Sequence, residues 1–288
     1  MRWIFGIACL LGICSAQIPD VRFHLDLYGT YNDLANNAGT LHLYDQLGDA
    51  STIEISAYID TDLRAYVSER LEQFSRDPSK DPLEQYFVED RDLWRVGKQY
   101  LPFGSGDLVR ENVLAVKGET KLLFENTKLE IAACYGGTGE QRGVIGRLGS
   151  QIGASVAIGD SFGISPTSFD LVRSPSASPG IGQGWKDMFG LDASRKIGQF
   201  VTSGEIVWLV NGETQLDSNQ NIWDVKEVYQ VDRNHSILVG FSHGSDNDVN
   251  FLRFSTHIPW TKQATFEPLL RFNNGRFYDL GLTLHVRL

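Results

Sequence analysis

Apolar and polar side chains alternate one for one through residues 278–288: Leu280, Leu282, Leu284, Val286 and Leu288 interleave with Asp279, Gly281, Thr283, His285 and Arg287. A period of two places the apolar set on one face of a strand and the polar set on the other. The same rhythm recurs upstream. Val21, Phe23, Leu25 and Leu27 oppose Arg22, His24, Asp26 and Tyr28, while Ile53, Ile55, Ala57 and Ile59 oppose Glu54, Ser56, Tyr58 and Asp60. Trp94 and Val96 oppose Arg91, Leu93 and Arg95; Leu122 and Phe124 oppose Lys121, Leu123 and Glu125; Leu129, Ile131, Ala133 and Tyr135 oppose Lys128, Glu130, Ala132 and Cys134. In the second half Ile206, Trp208 and Val210, then Ile237, Val239 and Phe241, then Leu252 and Phe254, then Phe266 and Leu270 continue it. Helical periodicity is nearly absent, with residues 62–74 the one ambiguous segment.

Turn-forming residues separate these runs at Lys117-Gly118-Glu119-Thr120, Gly136-Gly137-Thr138-Gly139, Asn211-Gly212, Asp232-Arg233-Asn234 and Asn273-Asn274-Gly275. Longer links fall at 75–82, 104–110, 161–184 and 213–221. Short turns at one rim and long loops at the other are the habit of transmembrane barrels. The expected fold is therefore all-β, an antiparallel transmembrane β-barrel of about 12–16 strands, with 14 as the central expectation from about ten residues per strand plus linkers. A soluble β-sandwich would show the same alternation. Two features favour the barrel: aromatics near strand ends (Tyr135, Trp208, Trp223, Tyr229, Phe254, Trp260, Phe272, Tyr278), and charges of both signs on nearly every polar face.

The N-terminus adds a destination. Residues 1–16 carry one early charge, Arg2, an apolar core from Ile4 to Ile13, and Cys14-Ser15-Ala16 as a small-residue cleavage site, the organisation of a signal peptide. The domain organisation read from this is a leader at 1–16 and a barrel domain at 17–288. Removing 16 of 288 residues leaves 272, with a formal net charge moving from -10 to about -11 through loss of Arg2. Cys134 is then the one cysteine, so no internal disulfide supports the fold. The acidic balance and the lack of basic runs speak against a nucleic-acid partner.

The segment Leu93-Trp94-Arg95-Val96-Gly97-Lys98-Gln99-Tyr100-Leu101-Pro102-Phe103-Gly104 resembles the strand-and-turn signature of Gram-negative porins of the phosphate-selective and legiobactin-receptor-type groups. The last strand, with Gly281, Leu284 and Val286, resembles the recognition signal of the barrel-assembly machinery, departing from it at Leu288 where an aromatic is usual. The resemblance implies an outer-membrane channel for passive diffusion of small hydrophilic or charged solutes, with membrane lipid, solutes or ions and the assembly machinery as partners and oligomerisation left open. Phosphate selectivity does not carry over, since no cluster of lysines or arginines is present.

In such a channel alternation places Arg91, Arg95, Lys121, Arg253, Arg271 and Arg287 on the pore-lining face, with Glu54, Glu130 and Glu267 interleaved. Charged rings in a pore set ion preference; equally, these groups can pair and fill the interior. The proline-bearing segment 161–184 is the candidate constriction or external flap. A competing enzyme reading rests on His243, Ser245 and Asn250, which resemble the His-x-Ser arrangement and amide of outer-membrane phospholipase A; a secreted β-sandwich binding module is the third alternative. No catalytic residue is assigned in the channel reading, and no cofactor is expected. The six histidines, His24, His42, His235, His243, His257 and His285, show no short metal-ligand spacing. Gly143, Gly146 and Gly149 mark bends or a wall thinned for close approach.

Overall fold

A computed structural model describes residues 18–31, 41–43, 51–72, 81–91, 93–122, 127–135, 142–172, 184–212, 219–246 and 248–288. The expected signal peptide lies outside the described residues. One antiparallel sheet takes in every strand: β1 (Asp20–Tyr31), β2 (Leu41–His42), β3 (Thr52–Tyr58), β4 (Leu63–Arg70), β5 (Leu83–Asp90), β6 (Trp94–Tyr100), β7 (Asn112–Lys121), β8 (Lys128–Tyr135), β9 (Arg142–Gly149), β10 (Ile152–Phe162), β11 (Trp185–Ile197), β12 (Phe200–Gly212), β13 (Gln220–Gln230), β14 (Ser236–Gly244), β15 (Val249–Pro259), β16 (Ala264–Asn273) and β17 (Arg276–Arg287). Each long strand pairs with its neighbours in sequence, and β1 pairs with both β3 and β17, which closes the sheet. Among the described residues the result is a barrel of 16 long strands with the two-residue β2 added beside β1. A sandwich of two sheets is thereby replaced by one closed sheet.

The closure uses the terminal alternation directly. Asp26 stands opposite His285, Leu27 opposite Leu284, and His24 opposite Arg287, so like faces meet across the seam. Leu288 exchanges two backbone hydrogen bonds with Phe23, of 3.0 and 2.9 Å, and tethers the end of the chain to β1. The start of β1 and the end of β17 share a rim with the short connections 59–62, 150–151, 198–199, 231–235 and 260–263. At the opposite rim lie the link 101–111 and residues 163–172, which follow β10, together with the tight turn at Asn274 and Gly275, both at positive φ.

Several expectations are corrected. The strand count exceeds 14 because residues 62–74 begin with β4 and because the glycine-rich stretch 142–162 forms β9 and β10. Lys117 to Thr120 is the middle of β7, where the charges that resembled a turn are cross-strand partners of β8. Of the strand expected at Leu122 and Phe124, Leu122 lies just past the end of β7, with its N–H donating to Thr127 O at 2.8 Å, and Phe124 lies outside the described residues. Asn211 and Gly212 close β12 and are not a two-residue hairpin turn. Gly136 to Gly139 lies outside the described residues.

Burial is inverted relative to a soluble protein. On β8, Ile131 and Tyr135 are exposed while Ala132 and Cys134 are buried; on β13, Val225 is exposed while Asp224 is buried. Exposed apolar side chains continue around the sheet through Val88, Val96, Val116, Val144, Leu148, Phe189, Leu191, Ile237, Val239, Leu280 and Leu282. Apolar surface on this scale is stable where lipid covers it. Aromatic pairs mark the strand ends: Phe200 with Tyr229 and Trp260 with Phe266 at the short-turn rim, and Trp223 with Phe241 toward the other. Tyr278 departs from the expected outer girdle. A register shift at Arg271/Phe272 brings its ring inward against Phe251, and its hydroxyl lies 3.5 Å from Asp170.

Candidate functional site

The inner wall is a lattice of ion pairs between adjacent strands, because alternation sends the polar residue of each strand inward beside the polar residue of the next. Glu89 on β5 receives Arg64 from β4 at 2.5 Å and Arg95 from β6 at 2.6 Å. On β7 and β8, Glu119 and Glu130 stand opposite each other and are held together by Lys117, at 3.1 and 2.9 Å, and Lys128, at 2.8 and 3.4 Å. Arg147 pairs with Asp192 at 2.6 Å, and Arg271 pairs with Asp279. Asp224, buried on β13, accepts from Arg253 at 2.7 Å and from the Ser242 hydroxyl at 2.5 Å. Arg253→Ala leaves that carboxylate with one neutral donor; the expected cost is about 1–3 kcal/mol, read as a lower urea midpoint of the barrel in lipid vesicles.

Two segments from the long-loop rim fold inside the barrel. Residues 101–111 leave β6 and return to β7, with the base closed by Leu101 N–H donating to Glu111 O at 3.0 Å. Pro102, which cannot serve a ladder, comes just after β6 ends. The tip reaches the far wall, where Glu205 of β12 accepts from Ser105 Oγ at 2.8 Å, from Asp107 N–H at 3.2 Å and from Leu108 N–H at 3.1 Å. Gly104 donates its N–H to Ser155 Oγ on β10, and Lys226 on β13 pairs with Asp107 at 2.6 Å. Gly104 has φ +53, and a Cβ there would lie 1.7 Å from Glu205 Oε1, so both backbone and space require glycine.

The second segment follows β10. Phe162, Ile164, Ser165, Ser168, Leu171 and Val172 are buried, and a 3-10 turn at Pro166–Leu171 packs against β14 and β15. The two segments join through Ser165 N–H to Leu108 O at 2.8 Å and Gly163 N–H to Glu111 at 3.0 Å. Beneath them the inner wall becomes apolar: Leu101, Phe103, Leu108, Val109, Phe162, Ile164 and Leu171 pack on Val113, Ile145, Met188, Val207, Leu209 and Ile222. Small residues admit the segments. A Cβ on Gly190 would meet the Phe103 ring at 2.7 Å, and one on Gly244 would meet Leu171 O at 1.7 Å. Among the three glycines singled out in the sequence, Gly143 meets the thinned-wall expectation, since a Cβ would lie 2.9 Å from the Phe162 ring.

The expected pore-lining residues divide into two groups. Arg95, Glu54, Glu130, Arg253, Arg271 and Glu267 project inward from the strands, and all six have hydrogen-bonding or ionic partners on the wall. Arg91, Lys121 and Arg287 stand at the short-turn rim: Arg91 in the β5–β6 turn, 4.6 Å from the centre of the Tyr58 ring, and the other two at strand ends. Residues 163–172 of the 161–184 candidate fold inward, which favours constriction over an external flap for that part; residues 173–183 lie outside the described residues. The sequence marks the 101–111 segment only as a link at 104–110 and the end of a signature at 93–104. Its signal was present in the apolar run Leu101, Pro102, Phe103 followed by Leu108 and Val109, too greasy for a solvated loop.

The enzyme constellation forms in part. His243 Nδ1 lies 3.0 Å from Asn250 Oδ1 on the outward face, beside Trp223. Ser245 Oγ instead accepts from Asn221 N–H at 3.0 Å, and among the described residues no hydrogen bond joins it to His243. Without that contact the histidine does not activate the hydroxyl. The histidines, scattered in sequence, are gathered by the fold: His24, His257 and His285 meet Asp26 and Glu267 at the seam. The absence of short ligand spacing therefore did not exclude a ligand cluster.

The sequence matches no protein-family model and no curated protein. Among solved structures, the outer-membrane channel DcaP of Acinetobacter baumannii aligns with a TM-score of 0.61 at 10% identity over 94% of this chain and 97% of that one. OmpT, an outer membrane protein of Vibrio cholerae seen in a trimer form, aligns with a TM-score of 0.60 at 10% identity over 94% and 99%. An anion-selective porin from Comamonas acidovorans aligns with a TM-score of 0.60 at 12% identity over 94% and 98%. Across nearly its whole length, the chain has the fold of outer-membrane porins.

Proposed function

We propose that this protein is a porin of the Gram-negative outer membrane, a water-filled channel for passive diffusion of small hydrophilic or charged solutes. The observation that carries the reading is the inversion of burial in a closed sheet, with aliphatic and aromatic side chains outside and charges inside. Lipid is the medium in which that arrangement is stable. Export by the 1–16 leader and insertion by the barrel-assembly machinery follow from the same reading, and a homo-oligomer rests on the likeness to the trimer form of OmpT.

Residues 101–111 and 162–172 narrow the channel from the β10–β15 side. Solutes pass the wall bearing Arg95, Glu54, Glu130, Arg253, Arg271 and Glu267, with Arg91, Lys121 and Arg287 at the short-turn mouth. Because most wall charges are paired between neighbouring strands, local fields are short-ranged and selectivity is weak. Planar-bilayer recording under a salt gradient is expected to show discrete conductance steps with cation and anion permeabilities within about threefold of each other. A detergent-free soluble protein, or a bilayer without steps, ends this reading.

A further inference from the structure

We propose that the inner wall at the seam binds one divalent transition-metal cation, of which Zn²⁺ is the type, through His257 Nε2, Glu267 Oε2 and His285 Nε2. The three residues come from β15, β16 and β17, and their candidate ligand atoms lie within 4.8 Å of one another. Glu267 Oε2 sits between the two imidazoles, 3.0 Å from His257 Nε2 and 2.9 Å from His285 Nε2. Ligands bound at zinc distances of 2.0–2.1 Å in a tetrahedron stand about 3.3 Å apart, so seating an ion asks each imidazole to part from Glu267 by only a few tenths of an ångström.

Support around the three points the same way. Asp26, buried on β1, lies 2.7 Å from His285 Nδ1 and is placed to accept its proton, which holds Nε2 toward Glu267. With both ring nitrogens protonated His285 donates to both carboxylates, so a cation takes the place of the Nε2 proton, which is released on binding. Carboxylate, histidine and metal in line are the usual orienting arrangement of zinc sites. Ser255 donates to the other oxygen of Glu267 at 2.8 Å. His257 is half exposed and gives the ion an approach from the interior. Two nitrogens and one carboxylate oxygen suit zinc, nickel or copper and disfavour calcium or magnesium.

A second triad, His24, Asp26 and His285, shares one ring with the first. It is the poorer choice because its carboxylate is already committed to His285 Nδ1. An ion at the proposed place ties β15, β16 and β17 together beside the closure with β1. Binding is read directly, so the site stands or falls separately from conduction.

The test is calorimetric titration of Zn²⁺ into the full chain folded in detergent, with Ca²⁺ as comparison and circular dichroism as the check on folding. One Zn²⁺ per chain is expected, with Ca²⁺ at least hundredfold weaker. His257→Ala, at a half-exposed position that leaves the barrel folded, should weaken binding at least tenfold, and the His257→Ala/His285→Ala pair should abolish it. Asp26→Asn should weaken binding by about 10- to 100-fold and shift the visible spectrum of the Co²⁺ form, whereas His24→Ala should leave affinity unchanged. No binding by the unaltered chain, binding retained in the double variant, or loss with His24→Ala but not His257→Ala overturns the proposal.

Discussion

Glu205→Ala is expected to free the tip of residues 101–111 from the barrel wall and convert a quiet channel into one with larger mean conductance and frequent substate transitions. The buried carboxylate of Glu205 accepts three hydrogen bonds from the segment, two of them from the backbone of Asp107 and Leu108. Ser105 keeps a partner in Asp107 at 2.8 Å after the change, but the two backbone N–H groups lose theirs. Such hydrogen bonds are worth about 0.5–1.5 kcal/mol each and a buried donor left without a partner costs about 1–3 kcal/mol, so a net loss of about 2–4 kcal/mol is expected. That makes the detached arrangement roughly 30- to 1,000-fold more populated. The segment does not leave altogether, because Phe103, Leu108 and Val109 remain packed and Lys226 still holds Asp107. Glu205→Gln retains one acceptor oxygen and should fall between the two. Gly104→Ala should reproduce the noise by a different route, since its Cβ would occupy the carboxylate's place. Unchanged conductance and noise in Glu205→Ala would remove the segment from any constricting role.

Where lipid and interior differ most, the sequence declares the fold. On β1, β8 and β17 the outward residues are aliphatic or aromatic and the inward ones polar, charged or small, so face assignment and even the meeting of Asp26 with His285 could be anticipated from alternation alone. The pattern fades where inserted segments cover the wall. On β12, Ile206, Trp208 and Val210 face outward while Val207 and Leu209 face the packed segments, so both faces are apolar and the alternation disappears. On β9, β10 and β11 the inward positions shrink to Gly143, Gly153, Ala157 and Gly190, which look like turn residues in a sequence and are clearance in the structure. Lys117 and Glu119 misled for a related reason: glycine between charges resembles a turn until Lys128 and Glu130 supply partners. What alternation does not reveal is the convergence of His257 and Glu267 on His285, which depends on how β15, β16 and β17 register against one another.

Val225→Arg is expected to destabilise the barrel by about 2–4 kcal/mol in lipid, the cost of a charge facing hydrocarbon near the middle of a membrane-spanning strand. Val225 sits at the centre of β13 with 46% of its surface exposed, opposite Phe241 on β14. Its neighbour Asp224 is 3% exposed, so one step along the strand crosses from outer surface to ion-paired interior. For a half-exposed residue on a water-facing sheet, the same substitution would cost within about 0.5 kcal/mol. The sign and size of the effect therefore report what medium covers the outer face, independently of any current. Urea titration in phosphatidylcholine vesicles measures it, with Val225→Leu as the control that keeps the surface apolar and should be close to neutral. Equal stabilities of the arginine and leucine variants would mean that water covers that face, and the lipid-covered outer surface on which the channel depends would have to be given up.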